Sequence, residues 1–320
     1  MQPPSASAAR HVRVAAIQID FQPSASLNFP YIEEPVVLAD GEPGLASLPA
    51  SLPQSDKLLS LRQEIAREHE AFTQDRLLIL LRELDRLAVD IAVFPEYCVP
   101  ASALVTITKI APRLCVVAAS HTVTHSTLGV YRDVGLDVSD EDVGKSVCPI
   151  WLPSGNWVRV DKLSRSQWEG ALKPGTKWQS ISTSSRSGPP ITFGVLLCVD
   201  LINESDPNVQ RCVPRQLWDL VDLCVVPSYS PSIRDFEYRA RIVAERAGRP
   251  VVYTNVAAAG GTRVFCIFRD ADASVERHGT KPLPTNEEAV LVVDLLVVSV
   301  LRTFGPRRTL RFSKPFPPLG

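Results

Sequence analysis

The chain has 320 residues, 45% of them hydrophobic, which is enough for one large α/β domain with a substantial core. Lys and Arg number 34 and Asp and Glu 35, so the near-balance gives no electrostatic reason to expect a nucleic acid or an anionic membrane as partner. Seven cysteines include no Cys-x-x-Cys pair, and the odd count reads as reduced thiols in a cytoplasm, not a disulfide framework.

Met1 to Arg10 is rich in Pro, Ala and Ser and lacks the apolar core of a signal peptide. His11 to Ile19 is β-branched and alternating, a predicted strand. Phe21 to about Pro53 carries six prolines and no periodicity, which reads as a long loop or insertion. Ser55 to Leu87 is predicted helical in two parts, with Asp56 as a cap for the first and Leu58, Leu61 and Ile65 at helical spacing. Leu77, Leu80, Leu81, Leu84 and Leu87 form the apolar stripe of the second. Asp90 to Phe94 is a buried strand ending at Pro95-Glu96, and Leu114 to Ala119 is another. Ser146 to Leu152 and Trp157 to Leu163 flank Pro153-Ser154-Gly155-Asn156, a hairpin signal. Strands are expected at Ile191 to Cys198, Leu223 to Val226, Val251 to Asn255, Arg263 to Arg269 and Ala289 to Val293. Helical segments are expected at Gln216 to Leu220 and at Asp235 to Ala247, stopping at Gly248. Ala289 to Leu301, the longest apolar stretch, is broken by Asp294 and Ser299 and is too short to span a bilayer as a helix. Alternation of strands and helices with hairpins predicts two mixed sheets inside helical layers.

Three reactive side chains fall at the ends of predicted strands, where open α/β folds place their chemistry. Glu96 follows Phe94-Pro95, Lys162 follows Trp157 to Asp161, and Cys198 follows Phe193 to Leu197. The words around them resemble the nitrilase (carbon–nitrogen hydrolase) superfamily over nearly the whole chain. Val14-Ala15-Ala16-Ile17-Gln18 looks like its opening strand, Phe94-Pro95-Glu96 its glutamate motif, and Asp161-Lys162-Leu163 its lysine motif. Gly194 to Asp200 matches its elbow, with a Cys-x-Asp at 198 to 200. Val225 to Ser228, Val251 to Asn255 and Gly260-Gly261 look like its later strands and glycine pair. Steps of 66 and 36 positions separate the three key side chains.

The resemblance implies a four-layer α-β-β-α sandwich with two mixed sheets, one domain over residues 1–320, and an insertion at about 21–72. It also implies a homodimer or higher homo-oligomer, no cofactor and no metal. Cys198 is then the nucleophile, Glu96 the general base whose pKa burial must lift, and Lys162 with the Val199 backbone N–H the partners of the oxyanion. Lys162 and the strand-end position are expected to favour the Cys198 thiolate. Glu169, in Trp168-Glu169-Gly170, stands where the family carries a second glutamate that orients the lysine. Trp168 and Tyr97 are the candidate substrate contacts; Trp178 is read as packing. After Cys198 the chain departs from the family: Val199 replaces an aromatic, and Leu201-Ile202-Asn203-Glu204 replace an arginine and a proline–glutamate pair. Near Arg241 to Ala247, Glu245 is one residue out of register and receives no role.

The expected reaction is hydrolysis of a small-molecule amide, ahead of a nitrile, through a thioester. Two alternatives stand beside it: acyl transfer from the same thioester, and a low-activity sensor or scaffold module of a larger protein. His121 and His125 lie four apart in a Ser/Thr-rich stretch and are read as a solvated loop. Cys98 is expected near the site, and Cys115, Cys224 and Cys266 in the core. Arg307, Arg308 and Arg311 are read as a solvated tail or dimer contact. The 21–72 segment is expected over the mouth of the site or against a partner subunit.

Overall fold

The computed structural model describes residues 11–20, 56–119, 121–167, 169, 172–186, 188–266, 268–269, 276–277, 279–302 and 305–315. In chain order the first half holds β1 (His11–Gln18), α1 (Asp56–Arg86), β2 (Ile91–Val93), α2 (Leu104–Ile110), β3 (Cys115–Val117), β4 (His121–Thr122), α3 (His125–Asp133), β5 (Ser146–Leu152) and β6 (Asn156–Asp161). The second half holds β7 (Ile181–Thr183), β8 (Ile191–Val195), α4 (Pro207–Cys212), α5 (Leu217–Leu220), β9 (Leu223–Pro227), α6 (Arg234–Ile242), β10 (Val251–Thr254), β11 (Arg263–Phe265), β12 (Phe268–Arg269), β13 (Glu276–Arg277), β14 (Ala289–Arg302) and β15 (Gly305–Pro315).

Eight strands form one sheet, ordered β15-β14-β1-β2-β3-β5-β4 with β6 paired to β5. Five form a second, ordered β11-β10-β9-β8-β7. Both are mixed: β1, β2 and β3 are parallel, as are β8, β9 and β10, and each triplet is flanked by antiparallel neighbours.

The period of two along each strand explains the layering. Ala15, Ile17, Ala92 and Val116 face a core shared with Leu77, Leu81 and Leu84 of α1 and with Leu104, Ile107, Leu128 and Tyr131 of α2 and α3. Their neighbours Val12, Val14, Ile91, Val93, Cys115 and Val117 face the other way, into a core shared with Ile191, Phe193, Val195, Leu223, Val225 and Val252 of the second sheet. The opposite face of that sheet, with Cys224, Val226, Val251 and Tyr253, packs on Phe236, Ala240 and Val243 of the α6 region. The layers are therefore helix, sheet, sheet, helix. Each of Leu77, Leu81 and Leu84 contributes about 2 kcal/mol by burial.

Several expectations are corrected. Asp56 to Arg86 is one continuous helix, not two, because neither Gly nor Pro interrupts it. Of the 21–72 segment, residues 21–55 lie outside the described residues, and the remainder belongs to α1. The stretch holding His121 and His125 is no loop. His121 is in β4 and His125 opens α3, where Thr124 and Thr127 cap one another reciprocally. The two histidines thus share no helix face. Arg307, Arg308 and Arg311 belong to a strand paired with β14, not to a tail. The strand predicted at Ala289 to Val293 runs on to Arg302, and the one predicted at Ile191 to Cys198 stops at Val195. Among the described residues, no helix is long and apolar enough to cross a membrane, and no cluster of His, Cys, Asp or Glu is arranged to hold a metal ion.

Candidate active site

Glu96 leaves the first sheet just beyond β2. Phe94 still keeps sheet register, its N–H donating to the Val117 carbonyl at 3.1 Å, and Tyr97 then turns the chain with a φ of 66°. Two bonds tie this turn to the second sheet: the Glu96 N–H to the Ser228 carbonyl at 3.2 Å, and the Thr254 hydroxyl to the Phe94 carbonyl at 3.2 Å. The Glu96 side chain is buried. Its Oε1 accepts from Lys162 Nζ at 2.6 Å and its Oε2 from the Tyr229 N–H at 3.2 Å.

Lys162 follows β6, also of the first sheet. Its backbone is pinned on both sides, the N–H donating to the Ser146 carbonyl at 2.8 Å and the carbonyl accepting from the Gly175 N–H at 2.7 Å. Gly175 has to be glycine there: a Cβ would lie 2.1 Å from the Asp161 Cβ and 2.8 Å from the Lys162 carbonyl. Asp161 Oδ2 in turn accepts from the Thr176 and Lys177 N–H groups, both at 3.0 Å. Behind it lies a buried ion cluster. Arg159 forks onto both oxygens of Asp142 at 2.9 Å, Lys145 reaches Asp142 at 2.8 Å, and Arg159 Nε stands 3.2 Å from Asp161.

The Lys162 ammonium also donates to Glu169 Oε1 at 2.5 Å and stands 5.8 Å from the centre of the Tyr97 ring. Glu169 Oε1 accepts a very short bond from the Tyr97 hydroxyl, and Oε2 accepts from the Ser166 N–H at 2.9 Å. Trp168 lies outside the described residues.

Cys198 comes from the second sheet. It opens a tight 3-10 turn, Cys198–Leu201, with a φ of 47°, a left-handed conformation costly for a residue with a Cβ. The first bond within that turn runs from the Asp200 N–H to the Leu197 carbonyl, so the Val199 N–H precedes the turn's own acceptors. The buried thiol donates at 3.8 Å to the carbonyl of Tyr229, the residue whose N–H bonds Glu96. The structure thus brings Glu96, Tyr97, Lys162, Glu169 and Cys198 to one place. Cys98 lies beside them, buried with Tyr97 and Val256. Glu245 is exposed, and Trp178 packs against the second sheet with its indole N–H on the Val195 carbonyl at 3.0 Å.

Electrostatics separates the two carboxylates. Burial raises the Glu96 carboxyl above its ordinary value, with Lys162 opposing and the Glu169 charge adding to the rise. Burial also acts to raise Glu169, but the Lys162 charge and the bonds from Lys162 and Tyr97 outweigh it and hold Glu169 below its ordinary value. Burial disfavours the charge on Lys162, yet Glu96, Tyr97 and Glu169 together keep it firmly protonated. Such an arrangement suits one acid to stay a fixed anion and the other to take up a proton.

The Lys162 charge favours the Cys198 thiolate, but other contributions oppose it. Burial most of all, and then the Glu96 charge, raise the Cys198 thiol well above its ordinary value, with Lys162 opposing the rise and Glu169 adding to it. The direction of the shift favours the neutral thiol over the thiolate.

Two further residues escaped the sequence. Tyr229 uses its N–H on Glu96 and its carbonyl toward Cys198, and backbone groups leave no trace in side-chain spelling. Asn255 holds that loop, accepting from the Ser230 N–H at 2.9 Å and donating to the Ser230 carbonyl at 2.8 Å. The other is Asp200, whose carboxylate accepts from the Leu163 N–H, the Ser164 N–H and the Ser164 hydroxyl. Its signal was the Cys-x-Asp spacing.

No protein-family model matches the chain, and no curated protein matches it in sequence. Solved structures do. A variant of the Nesterenkonia AN1 amidase from the nitrilase superfamily aligns with a TM-score of 0.51 at 13% identity, over 89% of this chain and 92% of that one. A variant of the amidase from Nesterenkonia sp. AN1, showing covalent addition of the acetamide moiety of fluoroacetamide at its active-site cysteine, aligns with a TM-score of 0.51 at 13% identity, over 91% and 92%. Glutamine-dependent NAD+ synthetase from Acinetobacter baumannii aligns with a TM-score of 0.51 at 12% identity, over 97% of this chain and 49% of that one. With its helix–sheet–sheet–helix layers and two mixed sheets, this chain has the fold of the nitrilase superfamily.

Proposed function

We propose that the chain is a carbon–nitrogen hydrolase of the nitrilase superfamily that cleaves a small-molecule amide, ahead of a nitrile, through a thioester on Cys198. One observation carries the reading: a buried cysteine thiol, a buried carboxylate, and an ammonium held by two carboxylates converge from two different sheets.

On this reading Glu96 takes the thiol proton as sulfur attacks the carbonyl carbon. The negative charge that forms on oxygen lies against the Lys162 ammonium and the Val199 N–H. Collapse of the adduct expels the amine, which leaves with the proton from Glu96. Glu96 next deprotonates a water that attacks the thioester, the carboxylate product departs, and the thiol recovers its hydrogen. Glu169 and the Tyr97 hydroxyl keep Lys162 aimed throughout, and the Tyr97 ring contacts the acyl group. The partners are a small amide or nitrile and further copies of the chain.

The acetamide adduct on the structural neighbour supports the cysteine chemistry, and the sensor alternative loses ground because every group of the constellation is present. The test is incubation with a panel of amides and nitriles, read by intact mass and product release. A transient acyl adduct confined to Cys198, with carboxylate formed in water and hydroxamate in hydroxylamine, is the expected result. Transfer of the acyl group to amines with no hydrolysis would replace hydrolysis with acyl transfer. The absence of any adduct across the panel would overturn the reading.

A further inference from the structure

The candidate machinery is divided between two sheets that share no strand. Glu96 and Lys162 leave the eight-stranded sheet, and Cys198 leaves the five-stranded one. Their relative placement therefore depends on how the sheets are locked face to face. The apolar side chains between them resist separation, but apolar packing is non-directional and sets no lateral position to a fraction of an ångström.

Directional contacts do that, and one carboxylate supplies three of them. Asp200 stands two residues after Cys198 within the same tight turn and is buried. Its Oδ1 accepts from the Ser164 N–H at 2.7 Å and the Ser164 hydroxyl at 2.7 Å, and its Oδ2 from the Leu163 N–H at 3.0 Å. Leu163 and Ser164 are the two residues that follow Lys162. Asparagines reinforce the junction from the same side: Asn203 Nδ2 reaches Ser164 Oγ at 3.4 Å, and Asn208 Nδ2 bonds the carbonyls of Leu163 and Gly175, both at 2.8 Å.

We propose that Asp200 is a positioning residue whose carboxylate clasps the Cys198 turn to the Lys162 turn and so sets the distance between nucleophile and oxyanion partner. The catalytic half of this inference rests on the proposed function; the geometric half does not. Three donors around one carboxylate suit an anion, and burial raises this carboxyl to about 7, so the clasp becomes fully accepting only above neutrality. Asparagine at 200 keeps the volume but turns a donor toward one of the three donors.

Two measurements on Asp200→Asn test the inference. The first compares amide turnover with alkylation of Cys198 by iodoacetamide. Alkylation at a saturated carbon builds no oxyanion, so it uses Lys162 only to attract the forming thiolate. Turnover is expected to fall about 100-fold in kcat/KM while alkylation falls no more than about tenfold, the most that losing the ammonium itself costs it, the signature of misplacement and not of lost fold. Parallel losses in both would overturn the inference.

The second measurement requires no turnover. Lys162→Met is expected to slow Cys198 alkylation about tenfold near neutral pH in the parent chain, because the ammonium attracts the forming thiolate, and by less than about threefold in the Asp200→Asn background. An equal effect in both backgrounds would show that Asp200 does not set the Lys162–Cys198 approach. A parent chain that turns over no amide or nitrile would defeat the proposed function and leave this cycle to decide the role of Asp200. Should Asp200→Asn fail to fold, Ser164→Ala removes one of the three bonds and enters the same cycle, with reduced coupling expected and unchanged coupling overturning the inference.

Discussion

The two sheets hold their contributions to the site in opposite ways. The eight-stranded sheet delivers charged groups, and fixes them with further charges: Lys162 between two carboxylates, and the adjacent Asp161 backed by Arg159, Asp142 and Lys145. The five-stranded sheet delivers a neutral thiol, and fixes it with backbone: a left-handed residue, a tight turn and apolar packing. The difference follows from what burial costs each group. A charge taken out of water has to be compensated at every point, and the compensation is directional. A thiol needs little compensation, so shape holds it within its turn, and the charged Asp200 contacts concern only where that turn sits.

The largest expected effect breaks the charged side. Glu96→Gln keeps the shape of the acid but cannot accept the thiol proton, and thioester formation should fall about 1000-fold, measured by single-turnover acylation. In the parent chain the same rate should drop as pH falls through the raised Glu96 pKa, since the protonated acid is no base; the Glu96→Gln chain should lack that limb.

Asp142→Asn tests the ion cluster further back. It leaves Arg159 buried without its fork, at a cost of about 3–5 kcal/mol in chemical denaturation. Arg159 and Lys145 overcome the burial of Asp142 and hold it well below the usual carboxylate range. Its folded pKa is therefore below the unfolded one. The stability it confers is complete above the ordinary carboxylate pKa and is lost as pH falls below it, and the Asp142→Asn chain should show less of that acid loss.

Gly175→Ala probes the close approach beside Lys162 and should cost about 1–3 kcal/mol, with adduct formation impaired beyond the loss of folded protein. The smallest effect belongs to the backbone side. With the thiol removed, Cys198→Gly should be more stable than Cys198→Ala by about 1 kcal/mol, because glycine tolerates the left-handed turn. Equal stability of the two would show that the turn stores no strain.

Side-chain periodicity made the core strands legible, since every second residue of β1, β2, β8 and β9 faces the core between the sheets. Residue type and strand-end position made Glu96, Lys162 and Cys198 legible as candidates. Helix α3 was hidden because its sequence, His125–Asp133, is poor in helix formers and owes its start to Thr124 and Thr127. The long β14–β15 hairpin was hidden because an apolar run has no period of its own. The state of the thiol depends first on its burial and then on the Glu96 charge beside it, and only the assembled fold shows either.

The pairing of β1 has a consequence for biosynthesis. One edge of β1 meets β2, which soon follows it, but the other meets β14, with Val14 opposite Val293. At roughly 5–20 residues per second, a ribosome takes on the order of ten to forty seconds to travel from β2 to β14. Throughout that interval a buried-type strand, adjacent to the one that carries Glu96, waits with an open edge able to pair with other chains. The nascent protein is thus expected to depend on a holding chaperone until β14 emerges and closes the sheet.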